Sequence, residues 1–547
     1  MKFDKYILFL TILAIGFLAS LVRYSLKTYA FPIWDEQHYM YMATQFYRLL
    51  QNPSSSTFYE MLQVLPFRQP GYSLLILPFL ILFGLSNSYF WALFTNGLLY
   101  ASSIFAIFFI ARNYLSKLAS FLASIIFAFY GWTLYFAHFA YSETATSALC
   151  VWAILFLIKS NYFQNRKYAI LFGIFLTFAL LTRWVAIIFL AGPVLYVFYQ
   201  ILKKKVFKNR ATLVNIAFSF FIALLLLAYP YYVNYHQVFD YFNAHFIGGP
   251  NWQLTPQYER NPFSIYSFTF YLSSFAKLGV FSFILIIAGF LLALTKKSKL
   301  KIFVFASFFP WLFFSFLSIL KTDRFIIPIY PYLAILSASV FDYVKNKYSK
   351  IILIIITVVL SFGTFLGTVW GKGPLTGISR PPNIYKLSGK EIVDFIAKDI
   401  KMNGMVNPQV TVLFSYRPLD EPIYTYNLYN QEKPLNILYL VGSEVKNPDK
   451  DTIFIVQSAI GNADYILTKS DKKVEYYFTK NNYQALEAAI LFVDNFFNIP
   501  DYYEEKAKFW IFQDSSTVTL FKKKKEVGDK ELETMRLKFV EALKVER

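Results

Sequence analysis

Apolar runs of about twenty residues recur along the first two thirds of this chain, and they constrain its fold more than any other feature. A bilayer core about 30 Å thick is crossed by about 20 apolar residues in a helix. A backbone in lipid must also satisfy its own hydrogen bonds, so such runs become helices. They lie near 6–22, 89–111, 118–138, 143–158, 168–182, 184–202, 211–229, 270–294, 302–320, 325–343 and 351–370. A further apolar stretch, 71–86, is short and interrupted by proline, and reads as a re-entrant or interfacial helix. The sequence predicts a polytopic α-helical membrane protein of about eleven spans plus that helix.

Composition agrees. Of the 547 residues, 56% are hydrophobic and only 16% charged, whereas soluble proteins are roughly 25% charged. The formal net charge of +20 would by itself suit nucleic acid. Its distribution argues for membrane lipids instead. With Lys2 and Lys5 in the cytoplasm and alternating spans, one side receives Arg112/Lys117, Lys159/Arg166/Lys167, Lys203–Lys205/Lys208/Arg210, Lys296/Lys297/Lys299/Lys301 and Lys345/Lys347/Lys350. That is the positive-inside pattern, and it predicts a multi-pass protein of the plasma (inner) membrane with a cytoplasmic N-terminus and no nucleic-acid partner. Counting 71–86 as a full span would break the pattern. The single cysteine, Cys150, excludes an internal disulfide and a zinc ribbon.

The first run lacks a clear small-x-small cleavage site and reads as an uncleaved anchor, which makes 23–88 the first outer loop. Residues 1–370 form the predicted transmembrane module. After a linker at Gly371–Pro374 the composition turns mixed, and 371–547 reads as a soluble, extracytoplasmic α/β domain. Its expected strands are Val410–Ser415, Leu435–Val441, Thr452–Val456, Asp464–Thr468 and Thr517–Phe521. Its expected helices are 389–402, 482–497 and a charged tail at 528–545.

The charges outside the basic clusters carry the chemistry. Asp35 and Glu36 stand together just past the first span and begin an amphipathic segment, Trp34–Leu50. Acidic residues suit a helix N-terminus, but an ionised pair beside lipid also marks a functional site. Glu143 opens the fourth span on the same side. Arg68-Gln-Pro-Gly-Tyr72 precedes the re-entrant segment and offers donors to a phosphate or sugar. Arg183 interrupts two apolar runs, and Lys321 and Arg324 precede the tenth span. Cations at headgroup depth either snorkel or bind a lipid-linked phosphate. His38 and His138 are placed to join carboxylates around a metal ion, although no standard metal spacing is present.

These pieces together resemble the multi-spanning glycosyltransferases of the C-type fold that use polyprenyl-phosphate sugars. The branch most similar contains the protein O-mannosyltransferases and the lipid A aminoarabinose transferases. The matching residues are Trp34-Asp-Glu-Gln-His-Tyr39 with Ala43, Arg68-Gln-Pro-Gly-Tyr72, Tyr141-Ser-Glu143, Leu180-Leu-Thr-Arg183 and Lys321-Thr-Asp-Arg-Phe-Ile-Ile-Pro328 with Tyr330-Pro331, in family order over roughly residues 1–345. The chain departs from the pattern at Gln69-Pro70-Gly71, where the family usually has a second proline. The resemblance implies transfer of a sugar from a polyprenyl-phosphate carrier to a glycan, lipid or protein acceptor at the outer face. It implies Asp35, Glu36 and Glu143 as catalytic acids, and Arg68, Tyr72, Arg183, Lys321 and Arg324 as substrate contacts. It leaves a divalent ion optional, with Asp35, Glu143 and His38 as its candidate ligands. A lipid-linked oligosaccharide ligase or polymerase would share this chemistry. A lipid or sugar transporter would instead show mid-span charges and a repeat between halves.

Overall fold

The structure, a computed structural model, describes residues 4–27, 35–85, 87–243, 264–276, 278, 280–295, 299–318, 321–371, 388–405, 408–412, 436–439, 461–469, 499–511 and 516–545. The chain divides into two compact units: Met1–Thr28 with Trp34–Pro382, and Tyr29–Ile33 with Asn383–Arg547.

The first unit is helical. Among the described residues seven helices are long and apolar enough to cross a bilayer: Lys5–Leu26, Ser88–Ala111, Ser142–Lys159, Ala186–Lys203, Arg210–Asp240, Asp323–Tyr343 and Lys347–Trp370. Lys117–Ala128 and Gly131–Ala137 make an eighth if taken as one span, bent by 57°. The sequence pattern predicts an unbroken helix over 118–138. The break arises because Tyr100, on a neighbouring helix, donates its hydroxyl to the carbonyls of Phe127 and Ala128 at 3.2 and 3.0 Å. Those carbonyls no longer need a fourth-residue donor, so the helix can stop there. Similarly, 270–294 is two helices, Ile265–Ala276 and Val280–Leu294. The apolar run 211–229 continues to Asn243 across a kink at Asn234. The run 325–343 begins as a 3₁₀ segment, Asp323–Ile329, that contains Pro328. Gly71–Phe83 has 13 residues, about 20 Å at 1.5 Å per residue, which is short of a bilayer core.

Two helices flank the position where the chain first leaves the apolar runs. Asp35–Gln51 carries Asp35 and Glu36 in its first turn. It buries Tyr39, Met40 and Ala43 against Tyr72, Ile76 and Leu80 of Gly71–Phe83. The spacing 72, 76, 80 is one face of a helix. Gly71 is where this packing leaves no room: a Cβ there would meet the Leu181 and Thr182 backbone at 2.5 Å. Its lack of a side chain brings the Arg68–Gly71 turn down onto the end of the helix Arg166–Thr182.

Among the described residues the second unit holds five strands of one sheet in the order β2-β1-β3-β5-β4. The strands are β1 Gln409–Val412, β2 Asn436–Tyr439, β3 Tyr465–Lys469, β4 Tyr503–Ile511 and β5 Ser516–Lys523. β1 pairs parallel with β2 and β3, and β5 pairs antiparallel with β3 and β4. The helix Ser388–Asn403 lays Ile392, Ile396 and Ile400 on Val410, Leu467 and Leu520. The tail forms the helix Asp529–Val545. β4 is absent from the sequence expectation because Glu504, Glu505, Lys506 and Lys508 break its apolar alternation. It lies at the sheet edge, where charges guard against pairing with another chain. The expected strand 452–456 and helix 482–497 lie outside the described residues, as does the linker beyond Gly371.

Candidate active site

Five of the charged residues singled out above meet at helix ends of the first unit. Asp35 is bracketed by two guanidiniums: Arg68 bonds one carboxylate oxygen, and Arg324 Nη1 lies 2.8 Å from the other. Glu143 Oε1 lies 2.7 Å from Arg183 Nη1 and 3.5 Å from Arg324 Nε. Arg324 thus ties together two carboxylates from different helices. Each acid sits in the first turn of its helix, where the positive end of the dipole favours it. Arg183 caps the helix Arg166–Thr182 in an extended conformation, and Arg324 is presented by the 3₁₀ segment Asp323–Ile329. Basic residues mark the opposite ends of the same helices, Lys159 against Glu143 and Arg166 against Arg183.

The cations also rest on rings. Arg324 lies 5.3 Å from the centre of the Tyr141 ring, Arg183 5.4 Å from that of Phe325 and Arg68 5.9 Å from that of Tyr39. Planar guanidiniums favour such faces. Tyr39 in turn shares a 2.8 Å hydrogen bond with Ser142. Asn96, an amide inside an apolar helix, donates to the carbonyls of Phe139 and Tyr141 at 2.6 and 3.0 Å and fixes the segment that leads to Glu143. Sequence reasoning quoted Tyr39 within the first motif but gave it no role, and passed over Asn96; a lone amide within an apolar run is the signal that exposes the latter.

Glu36, adjacent to Asp35, has a different environment. It is fully buried and accepts hydrogen bonds from the Ala140 N–H at 2.5 Å and the Tyr89 hydroxyl at 3.0 Å. Tyr72 is buried as well and donates to the Ala92 carbonyl. Lys321 is fully buried and donates its ammonium to the carbonyls of Phe314, Ser315 and Ser318 at 3.0, 2.6 and 2.6 Å. The first two are carbonyls left over in the last turn of the helix Lys301–Phe316, and Ser318 lies just past it.

Between the cations lies a hollow of about 30 Å³, lined by Arg68, Gln69, Arg183, Arg324, Tyr39 and Ser318 among others. Among its described lining residues there is no carboxylate. The space admits a water or an oxygen atom of a ligand. Burial pushes the Asp35 carboxyl up, but the Arg324 and Arg68 charges outweigh it and hold it well below the usual carboxylate range. Burial, and then Arg68, lowers the His38 imidazole, with Asp35 opposing.

The expected metal ligands do not fit a divalent ion as arranged. Both oxygens of Asp35 are taken by guanidiniums. The His38 Nδ1 faces Arg68 Nη2 at 3.3 Å and stands 3.9 Å from Asp35. No three His, Cys, Asp or Glu side chains gather for a metal among the described residues.

A larger hollow of about 380 Å³ has walls that are apolar apart from Ser307, including Phe275, Phe290, Phe308, Trp311, Ile329 and Leu333. It shares the elements Lys301–Phe316 and Asp323–Ile329 with the arginine-lined hollow.

No family model matches the chain, and no curated protein matches it by sequence. Solved structures do match. ArnT from Cupriavidus metallidurans, in the apo state, superposes with a TM-score of 0.55 at 13% identity, over 93% of this chain and 97% of that one. The same protein bound to undecaprenyl phosphate gives 0.53 at 13% identity over the same shares. The arabinofuranosyltransferase AftD from Mycobacteria gives 0.51 at 12% identity, over 95% of this chain and 42% of that one. The oligosaccharyltransferase of Archaeoglobus fulgidus in complex with zinc and sulfate gives 0.50 at 14% identity, over 91% and 72%. The chain therefore has the fold of the C-type, multi-spanning glycosyltransferases, which the sequence motifs resemble.

Proposed function

We propose that this protein is a membrane glycosyltransferase that moves one sugar from a polyprenyl-phosphate carrier to a hydroxyl acceptor. The observation that carries the reading is the hollow walled by Arg68, Arg183 and Arg324, with no carboxylate among its described lining residues. Such a site suits an oxyanion at the membrane boundary, and guanidiniums bind phosphate with directed donors. The structure solved with undecaprenyl phosphate shares the fold and supports a prenyl-phosphate partner. The prenyl tail would lie in the apolar hollow beside Trp311 and Ile329.

In the proposed reaction the acceptor oxygen bonds to the anomeric carbon. The bond from that carbon to the phosphate oxygen breaks, and the prenyl phosphate leaves with the electron pair. Arg68, Arg183 and Arg324 stabilise the charge that develops on it. Asp35 receives the hydroxyl proton, because it is the acid held ionised by Arg68 and Arg324, two of the residues that wall the hollow. Glu143 holds Arg183 and Arg324 in place. Glu36 acts as a positioning residue that ties the helix Asp35–Gln51 to the Ala140 backbone. Lys321 anchors the turn that carries Arg324.

In this arrangement the module spans the membrane about eleven times, with Gly71–Phe83 interfacial, the N-terminus cytoplasmic and residues 371–547 an extracytoplasmic domain. A metal has precedent in the zinc-containing oligosaccharyltransferase structure, but here it would have to displace arginines from Asp35, and the mechanism routes no step through it. Purified protein offered labelled prenyl-phosphate monosaccharides and prenyl-pyrophosphate oligosaccharides tests the reading. Transfer from the monosaccharide donors is expected. Exclusive use of the pyrophosphate donors would make it an oligosaccharide ligase.

A further inference from the structure

Gln69 lies in the turn where this chain departs from the pattern of the glycosyltransferases it resembles. It is 8% exposed and lines the arginine-walled hollow. Its side-chain amide nitrogen, Nε2, is buried and has no hydrogen-bond partner among the described residues. An unpaired buried donor costs about 1–3 kcal/mol, so its retention asks for an explanation. The surroundings supply one. The polar side chains that ring the hollow with Gln69 include three guanidiniums, and guanidiniums have no acceptor to offer an N–H. No described residue accepts from Nε2, and an oxygen of a ligand seated in the hollow would.

The turn is held firmly. Pro70 caps the helix Gly71–Phe83, and Gly71 is pressed on the Leu181–Thr182 backbone. Gln69 is therefore a preset donor beside Arg68, Arg183 and Arg324, and the hollow it helps to wall has room for an oxygen atom.

We infer that Gln69 is a substrate-binding residue whose amide donates to a phosphoryl oxygen of the donor lipid. This rests on reading the hollow as the donor-phosphate site. A neutral donor adds a directed hydrogen bond without a fourth positive charge.

The test is equilibrium binding of undecaprenyl phosphate and of undecaprenol, which lacks the phosphate, to the purified full chain in detergent. Gln69→Leu is expected to weaken undecaprenyl phosphate binding about tenfold to a hundredfold, the range for hydrogen bonds to charged groups. It should leave undecaprenol binding unchanged. The ligand-free Tm should stay level or rise, because an orphaned donor is removed. Gln69→Glu gives a second folded variant, its carboxylate pairing with the neighbouring guanidiniums, and should lose more affinity through repulsion of the phosphate. Wild-type affinity in Gln69→Leu, or a fall in its ligand-free Tm that marks Gln69 as a packing residue, overturns the inference and leaves the donor-site reading standing. A wild-type protein that binds undecaprenol as tightly as undecaprenyl phosphate overturns the donor-site reading itself.

Discussion

Arg324 Nη1 stands 2.8 Å from Asp35 Oδ2, joining a 3₁₀ segment late in the membrane unit to the first turn of a helix near its start. This contact couples the proposed base to the proposed phosphate site. Asp35→Asn is expected to lower the transfer rate by about 10²–10⁴-fold, the usual contribution of a general base. Undecaprenyl phosphate binding should persist, since removing a negative charge favours an anion. Near-normal transfer by this variant would remove Asp35 from the catalytic role.

Glu36 is expected to behave differently from its neighbour. Glu36→Ala leaves the Ala140 N–H and the Tyr89 hydroxyl without their acceptor, at a cost of about 1–3 kcal/mol per orphaned group. Glu36→Gln keeps an acceptor oxygen and should retain most of the stability and the transfer activity. Thermal unfolding in detergent with a parallel transfer assay separates the two. A Glu36→Gln protein with normal Tm and no transfer would make Glu36 a catalytic acid.

Gly71→Ala places a methyl against the Leu181 and Thr182 backbone. Overpacking of that kind typically costs about 1–3 kcal/mol. The relief available is to part the Arg68 turn from Arg183, so transfer should fall more than stability does. The ratio of transfer rate to Tm loss, compared with Gly16→Ala where a methyl meets nothing within 4 Å, measures this.

His38 is expected to set the acid limb of transfer. Its folded-state pKa is depressed by burial and then by Arg68, below an ordinary value near 6.5. The neutral form is the one the fold favours, so its contribution is complete above that ordinary value. It is lost as pH falls through the depressed folded value. Protonation then puts a second cation against Arg68. Asp35 is also depressed, but its contribution is complete above the ordinary carboxylate value of about 3.9 and is lost only below it. Tm should therefore begin to decline below about pH 6.5, transfer should decline only at lower pH as the folded imidazole protonates, and His38→Gln should flatten both. An unchanged acid limb in the variant would assign it elsewhere.

Because the Asp35 oxygens are already engaged by Arg68 and Arg324, chelation should not matter to the transfer step. Dialysis against a strong chelator is expected to leave the rate within about twofold of the untreated protein, a difference of roughly 0.4 kcal/mol in barrier. Loss of activity that zinc or manganese restores would show that an ion displaces the arginines.

Much of this protein was legible in one dimension. A bilayer imposes a solvent gradient along a single axis, so apolar runs mark the helices and charges collect at their ends. Asp35, Arg68, Glu143, Arg183 and Arg324 could be picked out in this way because each interrupts or terminates such a run. Rotation about a helix axis is a different matter. Adjacent residues on a helix point about 100° apart, so sequence could not tell Asp35, beside the hollow, from Glu36, locked to Ala140. Only tertiary packing decided that Lys321 would place its charge on backbone carbonyls, that Tyr100 would break the helix 118–138, and that Gln69 would join three arginines around the hollow with no acceptor for its amide among the described residues. Those outcomes depend on which neighbours supply acceptors, and the neighbours come from segments far apart in the chain.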